Sequence, residues 1–176
     1  IDGGGATDSL SATLSTAGTF TPTLTSIEVL KLSNTAAATL DLTGGSSVND
    51  VQVVSSSANL TVSNIASETV PLSVSNVSTG SITITLDVLN SAVNTSGVTD
   101  ETTLTVSSNT TGTIAIDTAI EDLNIISSGG DNTLTAITTG ANRIDISGAT
   151  DLTVTGAWTT AETISSTATG DVTITS

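Results

Sequence analysis

Short aliphatic residues alternate with Ser and Thr along almost the whole chain, in brief runs broken by clusters of Gly, Asn, Asp, Ser and Thr. Period-two alternation is the mark of a half-buried β-strand, because successive side chains point to opposite faces. The stretch from Asn124 to Thr155 shows the pattern most clearly, with L-T-A-I, R-I-D-I and L-T-V-T separated by turn residues. It predicts strands at Ile27–Leu32, Thr39–Leu42, Val51–Val54, Leu60–Ile65, Val70–Val74, Ile82–Leu86, Leu104–Val106, Ile114–Ile116, Leu123–Ile126, Leu134–Ile137, Arg143–Ile146, Leu152–Val154, Thr163–Ile164 and Val172–Ile174. Their starts fall about every ten residues, the spacing of a sandwich, a barrel or a solenoid. No segment reads as a helix: Ala36–Ala38 is flanked by Thr and Asn, and Ser, Thr and Val dominate elsewhere.

Three features favour a parallel β-solenoid. Apart from Asp2-Gly3, the Asn-Gly and Asp-Gly dipeptides of tight hairpins are nearly absent. A polar Asp or Asn directly precedes the strand at Asp50-Val51, Asn59-Leu60, Asp122-Leu123, Asp151-Leu152 and Asp171-Val172. The tripeptide T-x-T recurs at Thr83/Thr85, Thr103/Thr105, Thr133/Thr135, Thr153/Thr155 and Thr173/Thr175, in steps of 20 or 30 residues, as expected where equivalent faces stack coil upon coil. Either step fits one turn of the coil. The rhythm weakens only over Leu89–Glu101, which reads as a coil with an exposed loop, or as the boundary if residues 1–176 are divided at all. The final D-V-T-I-T-S stops in what reads as mid-strand, so the expectation is a single solenoid segment of a longer chain.

The apolar residues are nearly all Ala, Val, Ile and Leu, with a single Phe and a single Trp. Such a set suits a narrow, layered interior, and burying each aliphatic contributes about 1.5 to 3 kcal/mol. Two cationic side chains, Lys31 and Arg143, stand against 17 Asp and Glu, for a net charge of −15. That balance repels phosphate backbones and anionic lipid, and no run approaches a membrane span, so nucleic acid and membrane insertion are excluded as partners. The absence of Cys and His leaves only oxygen donors for a metal, which makes Ca2+ the expected cofactor if there is one.

Gly3-Gly4-Gly5-Ala6-Thr7-Asp8-Ser9-Leu10-Ser11 follows the glycine-rich calcium nonapeptide, with Ala6 where its third glycine belongs. Glycines let backbone carbonyls turn toward an ion while the Asp supplies a carboxylate. A plain glycine turn leading into the first strand fits the same residues. Gly129-Gly130-Asp131-Asn132 is a degraded echo.

Asp2 to Leu10, Pro22 to Leu32 (P-T-L-T-S-I-E-V-L-K-L) and Ala36 to Gly44 (A-A-A-T-L-D-L-T-G) together resemble the repeat regions of bacterial surface-layer proteins and related RTX-like calcium-binding proteins exported by type I secretion. The resemblance implies a right-handed parallel β-helix at the cell surface, whose subunits calcium orders into a two-dimensional lattice. The implied partner is therefore the chain itself, with cell-surface polysaccharide engaged through another region. Carried over residue by residue, the calcium motif falls on Asp2, Gly3, Gly5 and Asp8. Asp50, Asp100, Glu101, Asp131 and Asp151 are further candidate ligands, since carboxylates stacked between coils repel until an ion sits between them. As Asx turns, the pre-strand Asp and Asn residues would instead bond the backbone two residues on.

The alternative function is the stalk of a secreted calcium-binding adhesin. An ice-binding threonine face is a more distant one, because ordinary solvent-facing Thr is common in strands. No enzyme is expected: Arg143 lies two residues from Asp145, a surface ion pair, and adjacent Glu121 and Asp122 would face opposite ways in a strand. Four N-x-S/T sequences, at Asn59, Asn76, Asn94 and Asn109, fit the glycosylation pattern.

Overall fold

The structure, a computed structural model, describes residues 1–45, 47–78, 82–89, 99–156, 158, 161 and 163–175. Among these the regular elements are all strands, and they stack as a parallel β-solenoid of about 7 turns. Sheet 1 contains β1 (Ser9–Leu14), β3 (Val29–Asn34), β5 (Asp50–Val54), β7 (Leu72–Ser75), β9 (Glu101–Ser107), β11 (Asp122–Ser128), β14 (Arg143–Gly148) and β16 (Thr163–Ser166), in that spatial order. Sheet 2 contains β2 (Gly18–Phe20), β4 (Ala38–Asp41), β6 (Leu60–Ile65), β8 (Thr83–Val88), β10 (Thr113–Ile116) and β13 (Ala136–Thr138). Sheet 3 contains β12 (Asn132–Leu134), β15 (Leu152–Val154) and β17 (Val172–Ile174). Each strand pairs in parallel with its counterpart one coil away.

The register settles the length of a coil. Ser9 pairs with Val29, Val29 with Asp50 and Val51 with Leu72, so one turn takes 20 or 21 residues along sheet 1, while Ala38 pairs with Leu60, Thr113 with Ala136 and Leu60 with Ile84, steps of 22 to 24 along sheet 2. Leu72 pairs with Leu104 and Thr83 with Thr113, so one coil takes 30 to 32 residues. Its extra length falls between β8 and β9, where the sequence rhythm weakens; residues 90–98 of that stretch lie outside the described residues. The ladders of sheets 1 and 2 both continue across it.

Alternate residues of each strand fill the interior. In sheet 1, Leu30, Val51, Leu72, Leu104, Ile125 and Ile146 form one inward column, every member at most 1% exposed. In sheet 2, Leu40, Val62, Leu86 and Ile116 form another. Each residue is buried by neighbours in the coils above and below, so a coil holds its core only in a stack.

Two expectations need correction. The T-x-T pairs do not share a face: Thr83/Thr85 lie on sheet 2, Thr103/Thr105 on sheet 1, and Thr133, Thr153 and Thr173 stack on sheet 3. A step of about 20 returns the chain to the same sheet only outside the lengthened coil; through that coil the step from Thr83 to Thr103 carries it from sheet 2 to sheet 1. The expected strand Leu134–Ile137 is split between β12 and β13. Leu134 and Ile137 are both 1% exposed although three residues apart, and a continuous strand would send them to opposite faces, so the chain turns a corner between them.

The corner after sheet 1 repeats in register. Ser55, Asn76, Ser108 and Gly129 follow paired residues of successive strands, and all adopt left-handed φ, between 54° and 71°. Outside Gly, that conformation costs roughly 1 to 2 kcal/mol per residue. Stacked polar bonds hold it in place. Asn109 and Asn132, both buried, are hydrogen-bonded to each other and to carbonyls of the corner, with Asn109 Nδ2 donating to the Val74 carbonyl at 2.8 Å.

Candidate metal centre at the N-terminal turn

Residues 2–8 form a turn leading into β1 and lie against the second coil. Asp2 bridges Thr25, and its Oδ1 accepts the Gly4 N–H at 3.1 Å, which closes the turn locally. The Gly3 N–H donates to the Thr25 carbonyl at 2.9 Å. Gly3 has no room for a side chain: a Cβ there would stand 2.0 Å from the Ser26 carbonyl oxygen and 2.6 Å from Asp8 Cβ. Its smallness lets the turn close over the Asp8 side chain. Gly5 stands in open space.

Asp8 is half-buried, and its Oδ2 is buried with no hydrogen-bond partner. A carboxylate oxygen removed from water without a donor is costly, and the residue bonded to the Asp8 backbone from the next coil, Glu28, is another acid. The Asp8 N–H donates to Glu28 Oε2 at 2.8 Å, and the Asp8 carbonyl accepts the Glu28 and Val29 N–H groups, so Glu28 lies one coil above Asp8. Two carboxylates from adjacent coils, one carrying an unbonded buried oxygen, form a hard-oxygen donor set suited to calcium. Asp8 and Glu28 would hold the ion, with backbone carbonyls or water completing its shell. Among the described residues no three acidic side chains converge closely enough to hold an ion by carboxylates alone.

The remaining candidates are dispersed along the rod. Asp50 accepts the Gln52 side-chain amide at 2.7 Å. Asp131 and Asp151 stack in register, but Asp131 Oδ1 accepts the Asp151 N–H and Asp151 Oδ1 the Asp171 N–H, at 3.4 and 2.8 Å. Asn59 acts similarly, accepting the Thr83 N–H at 2.9 Å. These three residues therefore cap the next coil rather than the backbone two residues on; local Asx bonds form instead after strands, as at Asp41 with Thr43 and Asp117 with Ala119.

Asp100 immediately precedes β9 and Glu101 opens it. Glu101 accepts the Asn124 side-chain amide, while Asp100 faces inward and is 5% exposed. Burial first, and then the charges of Glu68 and Glu121 on the coils either side, push its carboxyl above the ordinary value.

Arg143 pairs with Asp145 at 2.6 Å on the outer face of sheet 1, as the sequence predicts. The Ser165 hydroxyl, and after it Arg143, hold the Asp145 carboxyl below the ordinary value. The groove around them, about 510 Å3, contains Asp145 as its sole carboxylate. A second cavity of about 510 Å3 is the apolar mouth of the core at the N-terminal end, lined by Leu10, Ala12, Leu14, Phe20 and Leu24 among others.

Sequence reasoning missed Glu28 and the pair Asp87 and Asp117. The coil period was the signal for both, since Asp8 and Glu28 stand 20 residues apart and the two aspartates 30. No family model, curated protein or solved structure matches the chain.

Proposed function

We propose that this chain is a structural segment of an extracellular, surface-layer-type protein, and that it assembles with copies of itself into a calcium-dependent two-dimensional lattice. One observation carries the reading: the unbonded, buried Oδ2 of Asp8 beside the Glu28 carboxylate, on a rod of net charge −15. Protomers with so large a like charge repel one another. An ion that binds the assembled state more tightly than the free one moves the balance toward assembly by mass action. A calcium ion on Asp8 and Glu28 supplies two positive charges and joins the first coil to the second, while further ions neutralise acidic surfaces between protomers. Catalysis has no part in the proposal.

The test is to add millimolar calcium to the purified chain, follow scattering, and image the product by electron microscopy. Ordered sheets that disperse when a chelator is added support the lattice. A protein that stays monomeric through both treatments is a stalk of the adhesin kind instead.

A further inference from the structure

On β8, Ile84, Leu86 and Val88 are buried, so Asp87 between them faces outward. Leu86 pairs with Ile116 of the next coil, which sets Asp87 and Asp117 one above the other on the outer face of sheet 2. The register therefore makes the two side chains neighbours across the step from one coil to the next. Two negative charges so placed repel, so one member of the pair favours its protonated form.

The backbone decides which. Asp117 Oδ1 accepts the Ala119 N–H at 2.8 Å and its Oδ2 accepts the Val88 N–H at 3.1 Å. Both Asp117 oxygens are thus already engaged by N–H donors, which leaves Asp87 as the member placed to carry the proton. Burial first, and the Asp117 charge second, raise the Asp87 carboxyl above its ordinary value of 3.8.

Among the described residues nothing else nearby compensates the charge. On the preceding coil Ser63 occupies the equivalent position, and its neighbour Asn64 is bonded to Asp41 one coil further away. The chain's two cationic side chains, Lys31 on β3 and Arg143 on β14, both belong to sheet 1. Val88 ends β8, so the pair sits where the chain leaves for the connection that lengthens this coil.

We infer that Asp87 and Asp117 form a one-proton clasp between successive coils, and that mild acidification tightens this step of the solenoid while neutral pH loosens it. In a raised-pKa acid the stabilising contribution is complete below the ordinary value and is lost as pH rises through the raised one. The clasp is thus complete below about pH 4 and weakens as pH rises from there toward neutral.

The test uses the intact chain in chelator, which keeps calcium out of the outcome. Wild type, Asp87→Asn, Asp117→Asn and the control Asp171→Asn are unfolded in urea from pH 4 to pH 7. The side-chain amide of the Asp87→Asn variant donates an N–H to Asp117 without needing a proton. The stability of this variant therefore falls less between pH 4 and 7 than that of wild type, by the linkage of about one proton. Asp171→Asn removes the same charge from the exposed end and keeps the wild-type slope. Asp117→Asn is destabilised throughout, because it loses an acceptor for Val88 or Ala119. Hydrogen exchange over 83–88 and 113–119 slows on acidification, after correction for intrinsic rates, in wild type but not in Asp87→Asn. Parallel slopes for wild type and Asp87→Asn, or an Asp117→Asn variant that behaves as Asp87→Asn does, would overturn the clasp.

Discussion

Truncating Asn132 to Ala is the sharpest test of how the corner after sheet 1 is held. The residue is 1% exposed. Its Oδ1 accepts both the backbone N–H and the side-chain Nδ2–H of Asn109, at 3.0 and 3.2 Å. Its Nδ2 has two hydrogens, and the nearest acceptors are Ser127 Oγ at 3.0 Å and the Gly130 carbonyl at 3.1 Å. Ser127 Oγ has other partners in Thr150 and the Asp151 carbonyl, so losing this bond costs it little. Asn109, 0% exposed, is affected most. Its backbone N–H and one side-chain N–H lose their acceptor in the interior, at about 1 to 3 kcal/mol for each stranded donor. Asn132→Ala is therefore expected to lose about 4 kcal/mol, a large share of the roughly 5 to 15 kcal/mol typical of a domain. Urea unfolding followed by circular dichroism measures it, with the midpoint falling and the slope unchanged. The half-exposed Asn124, bonded to Glu101 at the surface, is the comparison, and Asn124→Ala should lose less than about 1 kcal/mol. The double change of Asn109 and Asn132 to Ala should cost less than the sum of the single changes, since the two share bonds. A loss at Asn132 no greater than at Asn124 would refute the reasoning.

Leu104→Ala, in the middle of the sheet 1 column, should lose about 2 to 5 kcal/mol in the same assay, because the coils on either side cannot collapse onto the gap. Below about pH 4 stability should fall again. Asp41, held low first by the Thr43 hydroxyl and then by the Thr43 N–H and Asn64, and Asp145, held low by Ser165 and Arg143, contribute stability above the ordinary carboxylate value. That contribution is lost as pH falls through their lowered values. Together with the raised Asp87 and Asp100 carboxyls, it sets the maximum of stability at mildly acid pH, which thermal unfolding across a pH series measures.

Much of the fold was legible because the solenoid repeats one local rule. Leu60–Ile65, Leu152–Val154 and Val172–Ile174 are strands with the same bounds that alternation predicts. The first two strands escaped for different reasons. Ser9–Leu14 overlaps the glycine motif, which drew the reading toward calcium, and Gly18–Phe20 has no aliphatic alternation to show. The corners were harder still. A left-handed Ser55 or Ser108 leaves no trace in composition, because its conformation is fixed by the coil stacked against it. The same holds for the site. Asp8 was named from its motif, but Glu28 belongs with it only once the coil is known to take 20 residues, and the sequence steps fitted 30 equally well. Asp131 and Asp151 look like ion ligands on the page, yet in the fold each receives an N–H from the next coil.

If an acidic rod assembles because calcium occupies Asp8, whose Oδ2 has no hydrogen-bond donor, together with Glu28, removing those carboxylates must shift the calcium dependence of assembly. Sedimentation velocity across a calcium titration, for wild type against a variant carrying Asp8→Asn and Glu28→Gln, reads that shift. Wild type should pass from slow monomer to fast-sedimenting assemblies as calcium rises, and the variant should need markedly more calcium to do so. A wild-type chain that sediments as monomer at every calcium concentration, or a variant that assembles at the same midpoint, is incompatible with calcium-driven assembly through Asp8 and Glu28.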